Sequence, residues 1–198
     1  MSTKKPIHPG PWCTFLFAAM MWVFTFSEFG LFGGDDSLLL ALILLVSFPF
    51  WIKAGEAYCR LGDLVNGHMY IGLGILFGGF FTAAYLVLYL GHWVPALTIR
   101  ETILGVLFLA GGLYMLPAVP KFLTFDKVNF TTWFGLAVWL LLGSFSYFFP
   151  KIAFWDYVNM VCCVVVTASS TWATFHEVAI ICYGKGIPMG EPFRHEQQ

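Results

Sequence analysis

Six mostly apolar stretches, near residues 12–33, 37–54, 67–91, 99–118, 128–149 and 156–182, take up most of this 198-residue chain. Each approaches the ~20 residues that a helix needs to cross the hydrocarbon core of a bilayer. The gaps are short and charged, so no soluble domain fits between them. Only 11% of the residues are charged, against about 25% in a soluble domain. The chain therefore reads as an integral membrane protein. Inside lipid every backbone polar group must find a partner within the protein, and the alternating strands of a barrel are absent. The expected fold is an all-α six-transmembrane-helix bundle over 12–183, with tails over 1–11 and 184–198. The first run is too long for a cleavable signal peptide and lacks a small-residue cleavage site.

His8-Pro9-Gly10-Pro11 leads into the first run with no polar spacer. Pro11 suits the first turn of a helix, where its missing N–H costs nothing. Lys4, Lys5, Lys53, Arg60, Lys121, Lys127, Lys185 and Arg194 flank one side of the bundle. Arg100 and Lys151 flank the other, beside Asp35, Asp36, Glu101 and Asp156. The positive-inside rule then places both termini in the cytoplasm of a multi-pass cell (inner or plasma) membrane protein.

The last apolar run carries Asn159, Cys163, Thr167, Ser170, Thr174 and Glu177 at steps of 4, 4, 3, 4 and 3. On a helix they fall within one arc of roughly 80°. Such a stripe avoids lipid and faces either neighbouring helices, as hydrogen-bonding glue, or a water-filled path. The third run has Gly67, Tyr70, Gly74, Gly78, Phe81 and Tyr85 on one face, which suits a close helix seam. The first offers Thr14, Ala18, Met21, Thr25 and Glu28. Glycine-rich seams make a tight bundle, so any conduit is narrow and mostly apolar. The 22 phenylalanines suggest aromatic constrictions along it.

Several function classes drop out. A net charge of −1 gives no basic footprint for nucleic acid. Cys13, Cys59, Cys162, Cys163 and Cys182 lack zinc or CxxC spacing, so no metal site is read. No HExxH, GxSxG, GxGxxG or P-loop appears, and the chain is not read as an enzyme. His68 and His92 flank the third run, but only His176 offers an inner partner, so no haem or other cofactor is assigned. Glu177, near the end of the last run, is expected to pair with Lys53 or Arg60 or to relay protons.

The chain resembles the acetate uptake transporter family, which includes the succinate–acetate permeases. His8-Pro9-Gly10-Pro11-Trp12-Cys13-Thr14 stands where that family has Asn-Pro-Ala-Pro-Leu-Gly-Leu, with both prolines kept. Ala54-Gly55-Glu56, Gly62-Asp63 and Asn66-Gly67 occupy the zone of its Ala-Gly, glutamate and Gly-Asn elements. Glu177, Tyr183-Gly184 and Ile187-Pro188-Met189-Gly190-Glu191 match its glutamate, aromatic-glycine and Leu-Pro-x-Gly-Glu elements. The substitutions make this a divergent member. The resemblance implies a homohexamer in the lipid bilayer, each protomer holding a pore for acetate or similar small monocarboxylates, or succinate. It also implies that Phe17 forms a pore constriction, that Ser170 bears on substrate size, that Leu136 or Ala137 is the helix-five counterpart, and that Tyr70 or Leu73 replaces a tyrosine in helix three. It aligns Glu56 with the glutamate after helix two, near Arg60.

Together these readings give a path lined by Thr14, Phe17, Met21, Thr25, Tyr70, Leu136, Thr167, Ser170 and Thr174, with Phe17 as gate. Glu177, Glu56 and Arg60 form an ion pair or relay at its end. A bare carboxylate in hydrocarbon carries a heavy desolvation cost, so such a path must serve the neutral acid or hold the anion on hydroxyls. A channel for a small neutral solute such as urea or ammonia also suits a narrow apolar path. A membrane anchor or electron-transfer subunit is the third reading.

Overall fold

The computed structural model describes residues 10–32, 36–97 and 99–194. Lys4, Lys5, His8, Pro9 and Asp35, named above, lie outside the described residues. Six helical rods follow one another: α1 Gly10–Glu28, α2 Ser37–Arg60, α3 Leu64–Gly91, α4 beginning at Thr102, α5 Lys127–Phe148 and α6 Ala153–Tyr183. Five of them, all but α1, are long and apolar enough to cross a membrane by length and composition. Because the rods alternate in direction, the start of α1 and the end of α6 share one face of the bundle. We call it the terminal face and its opposite the loop face.

The boundaries differ from hydropathy where local chemistry intervenes. The first helix stops at Glu28 because Gly30 takes a left-handed φ of 65°. Gly30 N then donates to Ser27 O at 2.8 Å and Leu31 N to Phe26 O at 3.0 Å, the bond pair that closes a helix at glycine. The second helix runs past residue 54 to Arg60, with Pro49 inside it, because its last turns expose Lys53, Glu56 and Arg60. The fourth loses regular α geometry after Met115, where Pro117 and Pro120 lack the N–H that would extend the ladder. It continues as a 3₁₀ turn Leu116–Ala118 and a single turn Val119–Phe122. Midway along α3, residues Gly74–Phe81 form a π-helix, where the Thr82 hydroxyl donates to Phe77 O at 3.2 Å.

Lipid tails are as apolar as leucine, so close packing and hydrogen bonds hold such a bundle together rather than escape from water. Glycines make the closest approach between α2 and α3. A Cβ on Gly55 would lie 2.6 Å from Gly67 O, so the two backbones touch there. Phe15, Trp22, Phe26, Phe80, Val161 and Phe175 turn outward. Inside, aromatic rings fill the axis between α1, α3 and α5. Tyr70 meets Trp133 edge-on at 5.3 Å and Trp51 at 6.1 Å. Phe17 lies against Trp51 at 5.7 Å and Trp133 at 6.3 Å. Phe77 continues the column from Trp51 to Phe24 and Phe81, and Trp139 and Phe108 extend it. Pairs of this kind contribute about 0.5–1.5 kcal/mol each beyond burial.

The segment after α6 is a packed strap through residue 194 rather than a free tail. Trp172 Nε1 donates to Pro188 O at 2.9 Å, and His176 Nδ1 lies 2.5 Å from Ile187 O. Val128 N, in the first turn of α5, donates to Met189 O at 3.1 Å. The Phe193 ring packs on Phe130 with Lys127 over its face. The Ile187-Pro188-Met189-Gly190-Glu191 element thus hooks the end of α6 onto the start of α5.

Candidate functional site

A recess of about 380 Å³ opens on the terminal face. Its frame comes from a repeated local motif. Asp63-Leu64-Val65-Asn66 starts α3 and Asp126-Lys127-Val128-Asn129 starts α5. In each, the aspartate caps the helix by accepting from the backbone N–H three residues on, at 3.1 Å for Asn66 and 2.9 Å for Asn129. Each asparagine returns a side-chain N–H to the same carboxylate, at 2.6 and 2.7 Å. One amide N–H and one carbonyl oxygen of each asparagine stay available to the recess. Seven residues beyond each aspartate stands a ring, Tyr70 in one helix and Trp133 in the other, and both line the recess. Thr14, Tyr58, Thr124, Phe125 and Glu177 complete its wall.

A second recess, of about 460 Å³, opens on the loop face and is lined by Phe24, Ser27, Glu28, Asp36, Tyr85 and Tyr147, among others. An adjoining one of about 660 Å³ shares Glu28, Glu101 and Tyr147 with it and adds Arg100, Asp156 and Asn159. Together they make one mouth. Its floor is fixed from deep in the bundle, where the Trp139 indole N–H donates to Asn159 Oδ1 at 2.8 Å. The Ser27 hydroxyl donates to Asp36, tying the end of α1 to the start of α2.

Between the mouths lies the aromatic column. Tyr70 and Trp133 floor the terminal recess, Phe24 and Tyr85 floor the loop recess, and Phe17, Trp51 and Phe77 fill the distance between. Phe17 is buried in the first third of this plug, against Trp51 and Trp133. Met21 and Leu136 are fully buried beside it.

The middle of the α6 stripe meets α1 through hydrogen bonds. Thr25, Thr167, Ser170 and Thr174 line neither mouth. The Thr167 hydroxyl lies 2.7 Å from that of Thr25, 3.1 Å from Met21 O and 2.8 Å from Cys163 O. Ser170 donates to Thr167 O at 3.0 Å and Thr174 to Ser170 O at 2.9 Å. A hydroxyl in an apolar helix takes the nearest carbonyl, and here it finds one in its own preceding turn or on α1. The middle of the stripe thus joins α6 to α1, while Asn159 and Glu177 at its ends line the two mouths.

Of the other expected residues, Thr14, Tyr70 and Glu177 meet in the terminal recess. Glu56 and Arg60 are exposed on α2 and do not line it. Asp63, Asn66, Asp126, Asn129 and Trp133 were not singled out as site residues, although the repeated Asp-x-Val-Asn pattern marks the first four in the sequence. Trp51 and Trp139 carry no such local signal, whereas Asn159 stands at one end of the polar stripe. Among the described residues no group of three His, Cys, Asp or Glu is placed to hold a metal ion.

The sequence matches no protein-family model and no curated protein. The fold does have a match among solved structures, the bacterial acetate channel SatP, with a TM-score of 0.73 at 19% identity over 94% of this chain and all of that one. The chain therefore has the helical fold of that membrane channel along nearly its whole length, as the resemblance read from the sequence implied.

Proposed function

We propose that this protein is a membrane channel or transporter for acetate and similar small monocarboxylates, or succinate. One observation carries the reading. Two recesses open on opposite faces of a six-helix bundle and are separated by a continuous aromatic plug. The fold match to an acetate channel supports it. In this reading the substrate enters at Asn66, Asn129, Thr14 and Glu177, passes the constriction of Phe17, Tyr70 and Trp133, and leaves past Tyr85 and Tyr147. Met21 and Leu136 shape the narrowest stretch, whereas Thr25, Thr167, Ser170 and Thr174 act by setting the spacing of α1 and α6. Glu177 acts from the recess wall as a polar station. The count of Lys and Arg supports a cytoplasmic terminal face in a cell membrane. The outward rings of α1 and α6 offer surfaces for lipid or for the neighbours of a homohexamer.

The test is uptake of labelled short-chain acids into proteoliposomes, compared with protein-free vesicles. Phe17→Ala and Trp133→Ala are expected to change the ratio of propionate to acetate uptake several-fold by opening the plug. Equal uptake by vesicles with and without protein, across acetate, propionate and succinate, sinks the reading. Faster uptake of urea than of any acid gives the neutral-solute channel instead.

A further inference from the structure

A groove of about 210 Å³ runs along the outside of the bundle between α5 and α6. Phe130, Thr131, Phe134 and Val138 line it from α5, and Val161, Cys162 and Val165 from α6. Phe134, Val161 and Val165 are exposed. Gly135 lies among them with no side chain, which gives the groove its depth. The one hydroxyl in the lining, that of Thr131, donates to Lys127 O at 2.8 Å and is satisfied within its own helix. The groove therefore offers a ligand apolar surface along its length.

Its extent and its open end together say what fits it. Thr131, Phe134 and Val138 stand four, seven and eleven residues beyond Lys127, on one face of α5. Eleven residues of α-helix rise about 16 Å, roughly half of the ~30 Å hydrocarbon core. The groove thus starts at the terminal face and ends near the middle of the bilayer. A neighbouring transmembrane helix needs a seam through both leaflets, whereas an acyl chain fills one.

The open end is basic. Lys127 sits one turn from Thr131, and its stem packs on the strap, where a Cβ on Gly190 would lie 3.0 Å from Lys127 Cβ. The left-handed φ of 81° at Gly190 also calls for glycine. The Lys127 Nζ stands 5.9 Å from the centre of the Phe193 ring, and that ring packs at 4.9 Å on Phe130 of the groove. Lys127 is therefore held beside the groove by its stem and by its head. Arg194 follows Phe193, with its backbone N bonded to Leu123 O at 2.9 Å. Both basic side chains are exposed. The neighbouring Asp126 carboxylate is turned to Asn129 and lines the recess instead. The strap over 184–194 carries Glu191 as its one carboxylate, against Lys185 and Arg194.

We propose that this groove binds one anionic phospholipid, its acyl chain between α5 and α6 and its phosphate at Lys127 and Arg194. The proposal does not depend on what the bundle conducts. The apolar lining accepts any acyl chain, and the two cations select the head group. A basic residue near a membrane surface favours an anionic lipid by about fivefold, the factor that corresponds to ~1 kcal/mol. A lipid held this way ties the strap to the first turn of α5.

The test uses the full-length protein in mild detergent, supplied with phosphatidylglycerol or with phosphatidylcholine of the same chains. Native mass spectrometry counts the lipid retained per chain. The wild type is expected to keep one phosphatidylglycerol with a preference of roughly 25-fold, the product of two such factors. Lys127→Ala combined with Arg194→Ala should bring the two lipids to parity. Val161→Trp fills the groove from an exposed position, where folding depends little on the side chain, and should abolish retention of both. Equal retention of the two lipids by the wild type, or a preference that survives the double variant, overturns the proposal. A Val161→Trp protein that loses an oligomer but keeps its lipid puts a second copy of the chain in the groove and overturns it as well.

Discussion

At the terminal face the mouth is framed by contacts that span three residues of chain. Asp63 holds Asn66 and Asp126 holds Asn129, each through a backbone and a side-chain bond. At the loop face the mouth is framed by residues that meet from far apart. Trp139 on α5 reaches Asn159 on α6, and Ser27 on α1 reaches Asp36 across a turn. The first frame forms whenever its helix starts form. The second exists only once α1 has turned back into α2 and α5 has packed on α6. One mouth is therefore rigid by local chemistry and the other by assembly.

Substitutions can break or sharpen this contrast. The largest effect is expected below the loop mouth, where Phe24 touches Phe77, Tyr85 and Trp139 and is almost fully buried. Phe24→Ala should destabilise by about 3–5 kcal/mol through lost contacts and a cavity. Thermal unfolding in detergent reads this directly, and a loss under about 1 kcal/mol means that the column is not packed as described. Next comes Asn159→Leu, which leaves the Trp139 N–H buried without an acceptor at a cost of about 1–3 kcal/mol. Combining it with Trp139→Phe should recover part of that loss, because the orphaned donor is gone. A double variant as unstable as the sum of the singles would remove the proposed bond.

Smaller and matched losses are expected at the terminal face. Asp63→Ala and Asp126→Ala each remove one cap and should cost about 1 kcal/mol. Their similarity is the informative part, since the two caps have the same geometry. If one costs several times the other, the symmetry of the frame is only apparent. The smallest effect belongs to Glu177→Gln. Glu177 is half-buried in the recess wall, and its stability change should stay within about 0.5 kcal/mol, as for other surface changes. A larger loss would mean that the carboxylate is part of the frame rather than a lining group.

This contrast also explains what the sequence made legible. Six apolar runs were enough for the helix count, because lipid leaves no alternative to a helix at that length. Helix ends were less legible where one residue overrides hydropathy, as Gly30 does for α1 and Pro117 for α4. Thr14 and Tyr70, read as lining residues, and Glu177, read as part of an ion pair or relay, stand around one recess. The terminal frame was also present in the sequence, as two copies of Asp-x-Val-Asn. The α6 stripe was ambiguous in principle, since polar residues along an apolar helix serve a seam or a path equally well. What decides is the partner, and Thr25 and Met21 lie more than a hundred residues away from Thr167. Glu28, at the end of the face that the first run offers, stands in both compartments of the loop mouth because α4, α5 and α6 fold over it.

The strap that follows α6 gives the longest helix of the bundle two anchorages. At one end Asn159 is hooked to Trp139, and beyond the other Met189 is hooked to Val128. Both hooks land on α5, so α6 cannot roll about its long axis without unfastening at least one of them. Since α6 in turn grips α1 through Thr167, the first, fifth and sixth helices form a single stiff wall. The other side of the bundle has no such pair of hooks among the described residues, and there α3 carries its π-helical turns over Gly74–Phe81.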